Sequence, residues 1–338
     1  MSKPIRTQKP NTIEAVASAA GVSTMTVSRV LRRTGNVSQK TTDRVMAAVR
    51  ELGYVHNRLA GALASSRSDQ VAVIIPSLRN IVFPEVLAGI TDALDGTRFQ
   101  AVVGITEYNL EKERELVHSM ITWRPAGLII ANSYHHKDVD RLLRQADIPV
   151  VEAMELATNP IDMCVGLNQR QAGARMAAYL FDRGYRRFGY LGVDHNLDKA
   201  AARRLQGFQR ALRKRNARVE AKLMVPTPSG IGLGRDNMKA LVEQAPDLDA
   251  VYFSNDSVAA GALMYCMAAD IDVPGDLALA SFSGLEIAAA MPTTITTIRS
   301  PRYEIGRTSV KLILDRLDGK KTPQKTDLGF ELIKGDSA

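Results

Sequence analysis

Short apolar runs alternate with amphipathic helical patterns from residue 71 onward, and this alternation constrains the fold most strongly. Strands are predicted at VAVIIP, FQAVVG, AGLIIA, IPVVEAM, RFGYLG, DAVYFS and LALASF. Helical patterns such as PEVLAGITDAL, EKERELVHSMI and RRLQGFQRALRKR stand between them. Apolar strands separated by helices form parallel sheets that are covered on both faces. The number of strands predicts two doubly wound subdomains, with crossovers near residues 165–168 and 296–299.

Ligands of such sheets bind beyond the carboxyl ends of the strands, so we expect a small-molecule site in the cleft between the subdomains. The chain has no apolar run of membrane-spanning length. Its first residues, MSKPIRTQKPNT, lack the apolar stretch of a secretory signal, so a cytoplasmic location and no membrane partner are expected. Two isolated cysteines and no Cys/His cluster predict reduced, structural thiols, no metal site and no cofactor.

The positive charge of the chain is concentrated near its beginning. Residues 1–64 contain ten Lys and Arg against three Asp and Glu, which accounts for seven of the net charge of +8. The remaining residues are almost neutral. A basic excess confined to one short segment indicates a polyanionic partner.

Residues 11–53 read as three short helices with apolar residues at helical spacing. Thr12, Ser23 and Ser38 can each cap the helix that follows, and Gly21 permits a tight turn between the first two helices. Two helices joined by a short glycine turn, with a third packed behind, form a helix-turn-helix. The segment is therefore predicted to bind double-stranded DNA.

The second of these helices presents polar and basic residues outward, as a recognition helix does in the major groove. Methyl groups and a guanidinium can read base edges, whereas hydroxyls and amides suit phosphates. Base contacts are predicted for Thr24, Met25, Ser28 and Arg29. Phosphate contacts are predicted for Thr26, Asn36, Ser38 and Thr41.

The linker YVHNRLAGALASSRSDQ follows, and Asn57 can cap a short helix within it. Such a helix is too short to be stable alone, and Gly61 weakens it further by about 1 kcal/mol. We expect it to fold only when another surface packs against it.

The whole segment from TIEAVASAAGVSTMTVSRVL to ELGYVHNRLAGALAS resembles the DNA-binding head of the LacI/GalR family of transcription regulators. The resemblance continues into a type-I periplasmic-binding-protein fold through IIPSLRNIVFPEVLAGI, WRPAGLII, RGYRRFGYLG, RRLQGF and FSNDSVAAGAL. IPSLRN and IPVVEAM are most similar to the gluconate-type repressors. The resemblance implies a DNA-binding domain at 1–56, a hinge helix at 57–68 and an effector-binding, dimerising domain at 69–338.

In this family the hinge helix folds on the operator and a leucine wedges into the minor groove, where apolar insertion bends the duplex. Leu63 occupies that place. The resemblance adds further DNA contacts at Thr12, Ser23, Tyr54, Asn57, Arg58 and Ala60.

The resemblance also implies effector contacts. Arg204 matches the family's effector-binding arginine, and Asn255 and Asp256 match its polar pair. The other candidates are Ser77, Phe83, Glu152 and Ser283.

Sugar-binding members usually carry Asp after the strand LALASF, where this chain has Ser283 and Gly284. The loss of that carboxylate removes repulsion against an acid, and Arg204 can hold a carboxylate with two hydrogen bonds. We therefore expect a sugar acid such as gluconate or 2-ketogluconate. A neutral-sugar or purine-type effector, corepression in place of induction, and a solute-binding protein without DNA function stay open as alternatives.

No enzymatic activity is expected. GIGLG at 230–234 lacks the spacing of a nucleotide loop and is interpreted as a loop leading into a helix. His135, His136 and His195 have no partner at catalytic spacing and are interpreted as surface or cleft residues. Two heads that read a palindromic site require two-fold symmetry, so a homodimer with allosteric release from DNA is predicted.

Overall fold

The computed structural model describes residues 12–32, 35–54, 68–194 and 198–338. They form two compact units, a helical head and an α/β unit, Asp69–Ala338. The predicted hinge residues Asn57, Arg58, Ala60 and Leu63, together with His195, lie outside the described residues.

The head consists of α1 (Ile13–Ala20), α2 (Thr24–Arg32) and α3 (Gln39–Leu52). Each predicted cap is present: Thr12 accepts from the Ala15 amide, Ser23 from Thr26 and Ser38 from Thr41, at 3.2–3.4 Å. Gly21 and Gly53 end α1 and α3 with φ near +60°. The helical spacing of small apolar residues places a core between the helices. This core contains Val16, Ala17, Ala20, Val27, Val30, Val45 and Ala48.

The α/β unit contains two six-stranded sheets. The strands are β1 (Gln70–Ile75), β2 (Gln100–Ile105), β3 (Gly127–Ile130), β4 (Val150–Glu155), β5 (Met163–Leu167), β6 (Arg187–Val193), β7 (Arg218–Val225), β8 (Ala250–Phe253), β9 (Ala278–Ser283), β10 (Thr296–Arg299), β11 (Lys325–Asp327) and β12 (Glu331–Ile333). The first sheet has the order β11-β5-β4-β3-β1-β2 and is entirely parallel. The second has the order β12-β10-β9-β8-β6-β7, and only β12 is antiparallel to its neighbour.

Helices cover both sheets. They are α4 (Val82–Leu94), α5 (Leu110–Thr122), α6 (Lys137–Gln145), α7 (Gln169–Asp182), α8 (Lys199–Arg213), α9 (Ile231–Gln244), α10 (Asp256–Ala268), α11 (Glu286–Ala290) and α12 (Arg302–Leu317). The first subdomain comprises the first sheet with α4–α6 and α12, and the second comprises the second sheet with α7–α11. Apolar residues of the central strands form the buried centre of each subdomain, as expected for strands covered on both faces. They are mostly Val and Ile in the first sheet and mostly aromatic residues, Leu and Ala in the second.

The chain crosses between the subdomains three times. It passes from β5 to α7, from β10 to α12, and from β11 to β12. The third crossing is absent from the sequence prediction. The sequence predicts one apolar strand at DLGFELI, whereas the structure has two strands of three residues here, β11 and β12, one in each sheet.

One local prediction is wrong. The GIGLG stretch is not a loop, since Gly230 caps α9 and the helix begins at Ile231. A Cβ atom added at Gly234 would lie 1.8 Å from the carbonyl oxygen of Val258. Glycine is therefore needed there for close packing of α9 on α10.

No helix among the described residues is long and apolar enough to span a membrane.

Candidate functional site

A cavity of about 370 Å³ lies between the two sheets of the α/β unit. Residues at the carboxyl ends of strands line it from both sides. Thr106 and Asn132 follow β2 and β3 in the first sheet, and Phe282 and Ser283 end β9 in the second. This is the position at which doubly wound sheets bind ligands.

Arg204 on α8 is a preorganised cation of the cavity wall. Its Nη1 donates to Gln169 Oε1 at 2.9 Å, and its Nη2 donates to the carbonyl oxygen of Ser254 at 3.0 Å. The guanidinium carbon lies 3.9 Å from the ring centroid of Phe282. Arg204 is 5% exposed, and its buried Nε has no hydrogen-bond partner among the described residues. The side chain is held rigidly in the cavity wall, and its Nη2 also lies 3.8 Å from Asp198 Oδ2.

Two further cations line the cavity. Arg302, at the start of α12, donates from Nη1 to the carbonyl oxygen of Ser283 and from Nε to Glu85 Oε2 at 2.7 Å. It thereby joins the two subdomains, because Glu85 lies on α4 and Ser283 ends β9. The Lys199 ammonium lies 5.7 Å from the ring centroid of Tyr134.

The acidic lining residues already contact donors of the protein. Glu155 forms an ion pair with Arg203 and accepts from Ser133 Oγ. Asp198 caps α8 by accepting from the Ala201 amide at 2.8 Å. Pairing reduces the repulsion that these carboxylates would exert on an anionic ligand.

The side chain of His135 is buried beside this cavity, so of the two interpretations, surface or cleft, the surface position is wrong. Its side chain is 4% exposed, and Nδ1 lies 3.0 Å from Glu113 Oε1. Nε2 lies 3.6 Å from Glu152 Oε1. His136 is partly exposed and caps α6.

The outward face of α2 is available for contact in the head. Thr24, Met25 and Arg29 are exposed, and Met25 has 64% of its surface accessible. Ser28 and Thr26 are partly exposed, while Val27 and Val30 face the core. This face has the mixture of methyl, hydroxyl and guanidinium groups that reads base edges.

Arg44 on α3 has a structural role that its charge alone does not reveal. It donates to the carbonyl oxygens of Ala20 and Gly21, the latter at 3.1 Å. These carbonyls belong to the turn between α1 and α2. Arg44 therefore fixes the orientation of the two helices, in addition to contributing to the positive charge.

Comparison with known proteins identifies both units. Residues 12–57 match the model for bacterial regulatory proteins of the lacI family, and residues 177–338 match a periplasmic binding protein-like domain. The HTH-type transcriptional regulator GntR of Pseudomonas aeruginosa is 34% identical over 337 residues, which cover 99% of this chain and 98% of that protein. The chain belongs to the LacI family.

Solved structures agree with this assignment. A LacI-family regulator from Silicibacter pomeroyi is 44% identical to this LacI-family chain, with a TM-score of 0.91 over 96% of this chain and 98% of that chain. The regulator GntR from Chromobacterium violaceum is 36% identical, with a TM-score of 0.76 over 79% of this chain and 98% of that chain.

The prediction of a helix-turn-helix head joined to a type-I periplasmic-binding-protein-like unit is thus confirmed. This LacI-family protein is a DNA-binding transcriptional regulator. Its relatives are transcriptional regulators rather than enzymes.

Four of the seven candidate effector residues line the cavity of this LacI-family regulator, namely Phe83, Arg204, Asn255 and Ser283. Asn255 also caps α10 by accepting from the Val258 amide at 3.2 Å. Ser283 has φ of +127°, a conformation rare for a residue with a side chain.

The other three candidates lie outside the cavity lining. Ser77 Oγ accepts from the Arg79 amide at 3.1 Å, and Glu152 Oε2 accepts from the Ile161 amide at 2.6 Å. Asp256 is fully buried and accepts from Ser281 Oγ, Thr297 Oγ1 and the Leu285 amide. These side chains stabilise turns and strand ends, and that explains their polarity without a ligand.

Some of the head residues that are predicted to contact DNA have partners within the head, and others are exposed. Ser38 and Thr41 hydrogen bond to each other at 2.9 Å between their hydroxyl oxygens, and Asn36 is exposed. Tyr54 packs against the core of the head. Their DNA contacts stay predictions.

Sequence reasoning missed several lining residues. Thr106 and Asn132 follow recognised strands, so the position of strand ends alone was a sufficient signal. Tyr108, Lys199 and Arg302 lie on connections or at helix starts, where no periodic pattern marks them.

Proposed function

We propose that this regulator is a homodimer that binds a palindromic operator in the cytoplasm and is released from it by a sugar acid. Gluconate and 2-ketogluconate are the candidate effectors. The observation that carries this proposal is the rigidly held guanidinium of Arg204 in the lining of the cavity.

The charges of the lining favour a carboxylate at the Arg204 wall. Arg204 and Lys199 both lie on α8, and Arg302 adds a third cation. A carboxylate that meets a desolvated, preoriented guanidinium forms charge-assisted hydrogen bonds, which are about twice as strong as neutral ones. Ser283 in place of an acid leaves this region without an additional negative charge.

The cavity lies between two subdomains, so a ligand that contacts both walls favours one relative arrangement of the subdomains. An effector changes DNA affinity only if it binds one arrangement better than the other. In the proposed mechanism the sugar acid stabilises the arrangement that disfavours hinge folding on DNA, and the wedge of Leu63 is withdrawn.

Calorimetric titration of the full chain with gluconate, 2-ketogluconate, glucose and ribose tests the effector class. We expect the two acids to bind and the neutral sugars to bind at least about 100-fold more weakly. A neutral sugar lacks the carboxylate and therefore loses two charge-assisted hydrogen bonds, which are worth at least this factor in affinity. Arg204→Lys keeps the charge but loses the planar guanidinium, and should abolish most of this preference. Arg210→Lys, on the exposed face of the same helix, is the control.

Gel-shift titration of an operator complex tests the sign of the response. Release of DNA by the acid supports induction, whereas tighter binding would establish corepression. Tight binding of a neutral sugar with no binding of either acid would overturn the proposed effector class.

A further inference from the structure

Three ionisable side chains form a buried cluster in the wall that the first subdomain contributes to the cavity. Glu113 on α5 lines the cavity, is 3% exposed and contacts His135 through Oε1. His135 in turn lies between Glu113 and Glu152, which is 2% exposed. Glu113 therefore lies next to the cavity, His135 contacts Glu113, and Glu152 on β4 lies on the other side of His135.

The cluster is costly as a purely structural feature. Removing charges from water carries a large penalty, and apolar residues of similar volume often give equal or greater stability. Burial by itself lowers the pKa of His135, but the hydrogen bond to Glu113 and the nearby carboxylate of Glu152 outweigh burial and raise the pKa to about 9. The imidazole is therefore cationic at neutral pH, and its Nδ1 lies 3.0 Å from Glu113 Oε1.

Glu113 retains capacity to accept hydrogen bonds. An ionised carboxylate offers about four lone-pair sites on two oxygens, and the contact of His135 uses Oε1 alone. The imidazole also fixes the orientation of the carboxylate, because His135 is itself held from the other side by Glu152.

We infer that Glu113 is the hydroxyl-binding subsite of the effector cavity and that His135 positions it. A carboxylate is an acceptor only, so it recognises ligand O–H groups and rejects a ligand carboxylate. Arg204, on a helix of the second subdomain, provides the opposite preference. The two residues orient a ligand that carries a carboxylate at one end and hydroxyls at the other.

This inference rests on the proposed function, because it assigns the two ends of a sugar acid to the two walls. The test is a double-mutant cycle between protein and ligand. Gluconate and its 3-, 4-, 5- and 6-deoxy derivatives are titrated into the full wild-type chain and into Glu113→Gln. In the wild type, removal of the hydroxyl that contacts Glu113 should weaken binding about 10- to 100-fold, as for a hydrogen bond to a charged group.

In Glu113→Gln, removal of that same hydroxyl should weaken binding by about threefold or less. The loss of affinity on removal of each other hydroxyl should be the same as in the wild type. His135→Gln should also reduce the loss of affinity caused by removal of that hydroxyl, because the imidazole no longer orients the Glu113 carboxylate. Glu111→Gln, two residues earlier on α5 and exposed, is the matched control and should keep every penalty. Thermal unfolding and effector-free operator binding of each variant report whether the fold is intact.

If Glu113→Gln weakens binding of all ligands by the same factor, Glu113 has a structural role and the inference is overturned. It is also overturned if removal of each hydroxyl costs the same affinity in Glu113→Gln as in the wild type. Either result leaves the proposed function standing. If the wild type binds neutral polyols but no acid, the effector class fails. Glu113 is then tested by the corresponding deoxy polyols. A wild type that binds neither class would overturn both.

Discussion

Arg203 on α8 forms an ion pair with Glu155 on β4, and this pair joins the two subdomains beside the cavity. Glu155 is 6% exposed, whereas the Arg203 side chain is 28% exposed. Arg203 also donates to Ser133 Oγ at 3.0 Å. One basic side chain of the second subdomain is therefore bonded to two polar groups of the first.

Replacement of Arg203 with Met should weaken binding of a sugar acid about 10-fold. Glu155 then loses its cation and presents an uncompensated charge to the ligand, and the cross-subdomain bond is removed. Calorimetric titration measures the change. Arg210→Met removes an exposed charge from the same helix and should have little effect. Unchanged affinity in Arg203→Met would show that the ion pair does not influence the cavity.

Arg44→Met should destabilise the head by about 1–3 kcal/mol, because the carbonyl oxygens of Ala20 and Gly21 lose their donor. Hydrogen exchange of head amides in the full-length protein measures this loss. The exposed Lys40 provides the comparison. Lys40→Met should reduce the slope of log binding constant against log salt concentration by about 0.9, because one phosphate contact is lost. It should not accelerate hydrogen exchange in the head. Equal exchange in the two variants would contradict the structural role of Arg44.

Arg29→Ala should reduce the preference for operator over random DNA by about 1–3 kcal/mol, the value of one good bidentate base contact. Arg29 is exposed on α2 and is not part of the apolar core, so the head should remain folded. Competition gel shifts with operators changed at one base pair locate the contact. A variant that binds every DNA more weakly by the same factor would assign Arg29 to a phosphate.

The fold of the head was predictable because its determinants are local. Ser38 precedes α3 and Gly53 follows it, and the apolar spacing between them defines the packed face. The central strands were predictable for a related reason, since burial on both faces makes them continuously apolar. β7 was not predicted, although RVEAKLMV alternates polar and apolar residues, as an edge strand with one exposed face does.

The candidate site was harder to predict because burial and partners are properties of three-dimensional packing. Asp256 directly follows Asn255 in the sequence, yet only Asn255 lines the cavity. Burial raises the pKa of Asp256, and three donors bind its carboxylate. Likewise, nothing in the sequence places His135 between Glu113 and Glu152, which lie 22 residues before and 17 residues after it.

The buried His135 predicts a pH dependence of stability. Its pKa of about 9 in the folded protein exceeds the ordinary value of 6.5, so the folded chain binds this proton more tightly than the unfolded chain does. The resulting stabilisation is complete below pH 6.5 and is lost progressively as the pH rises through about 9.

Urea unfolding of the full chain between pH 6 and 10 measures this contribution. The stability difference between the wild type and His135→Gln should be largest near pH 6 and should decrease steadily toward pH 10, because only the wild type loses the imidazolium between its two glutamates. His118→Gln, at an exposed position of α5, should follow the wild type at every pH. A difference that stays constant across this range would mean that His135 stabilises the α/β unit by packing alone and carries no charge in the folded protein.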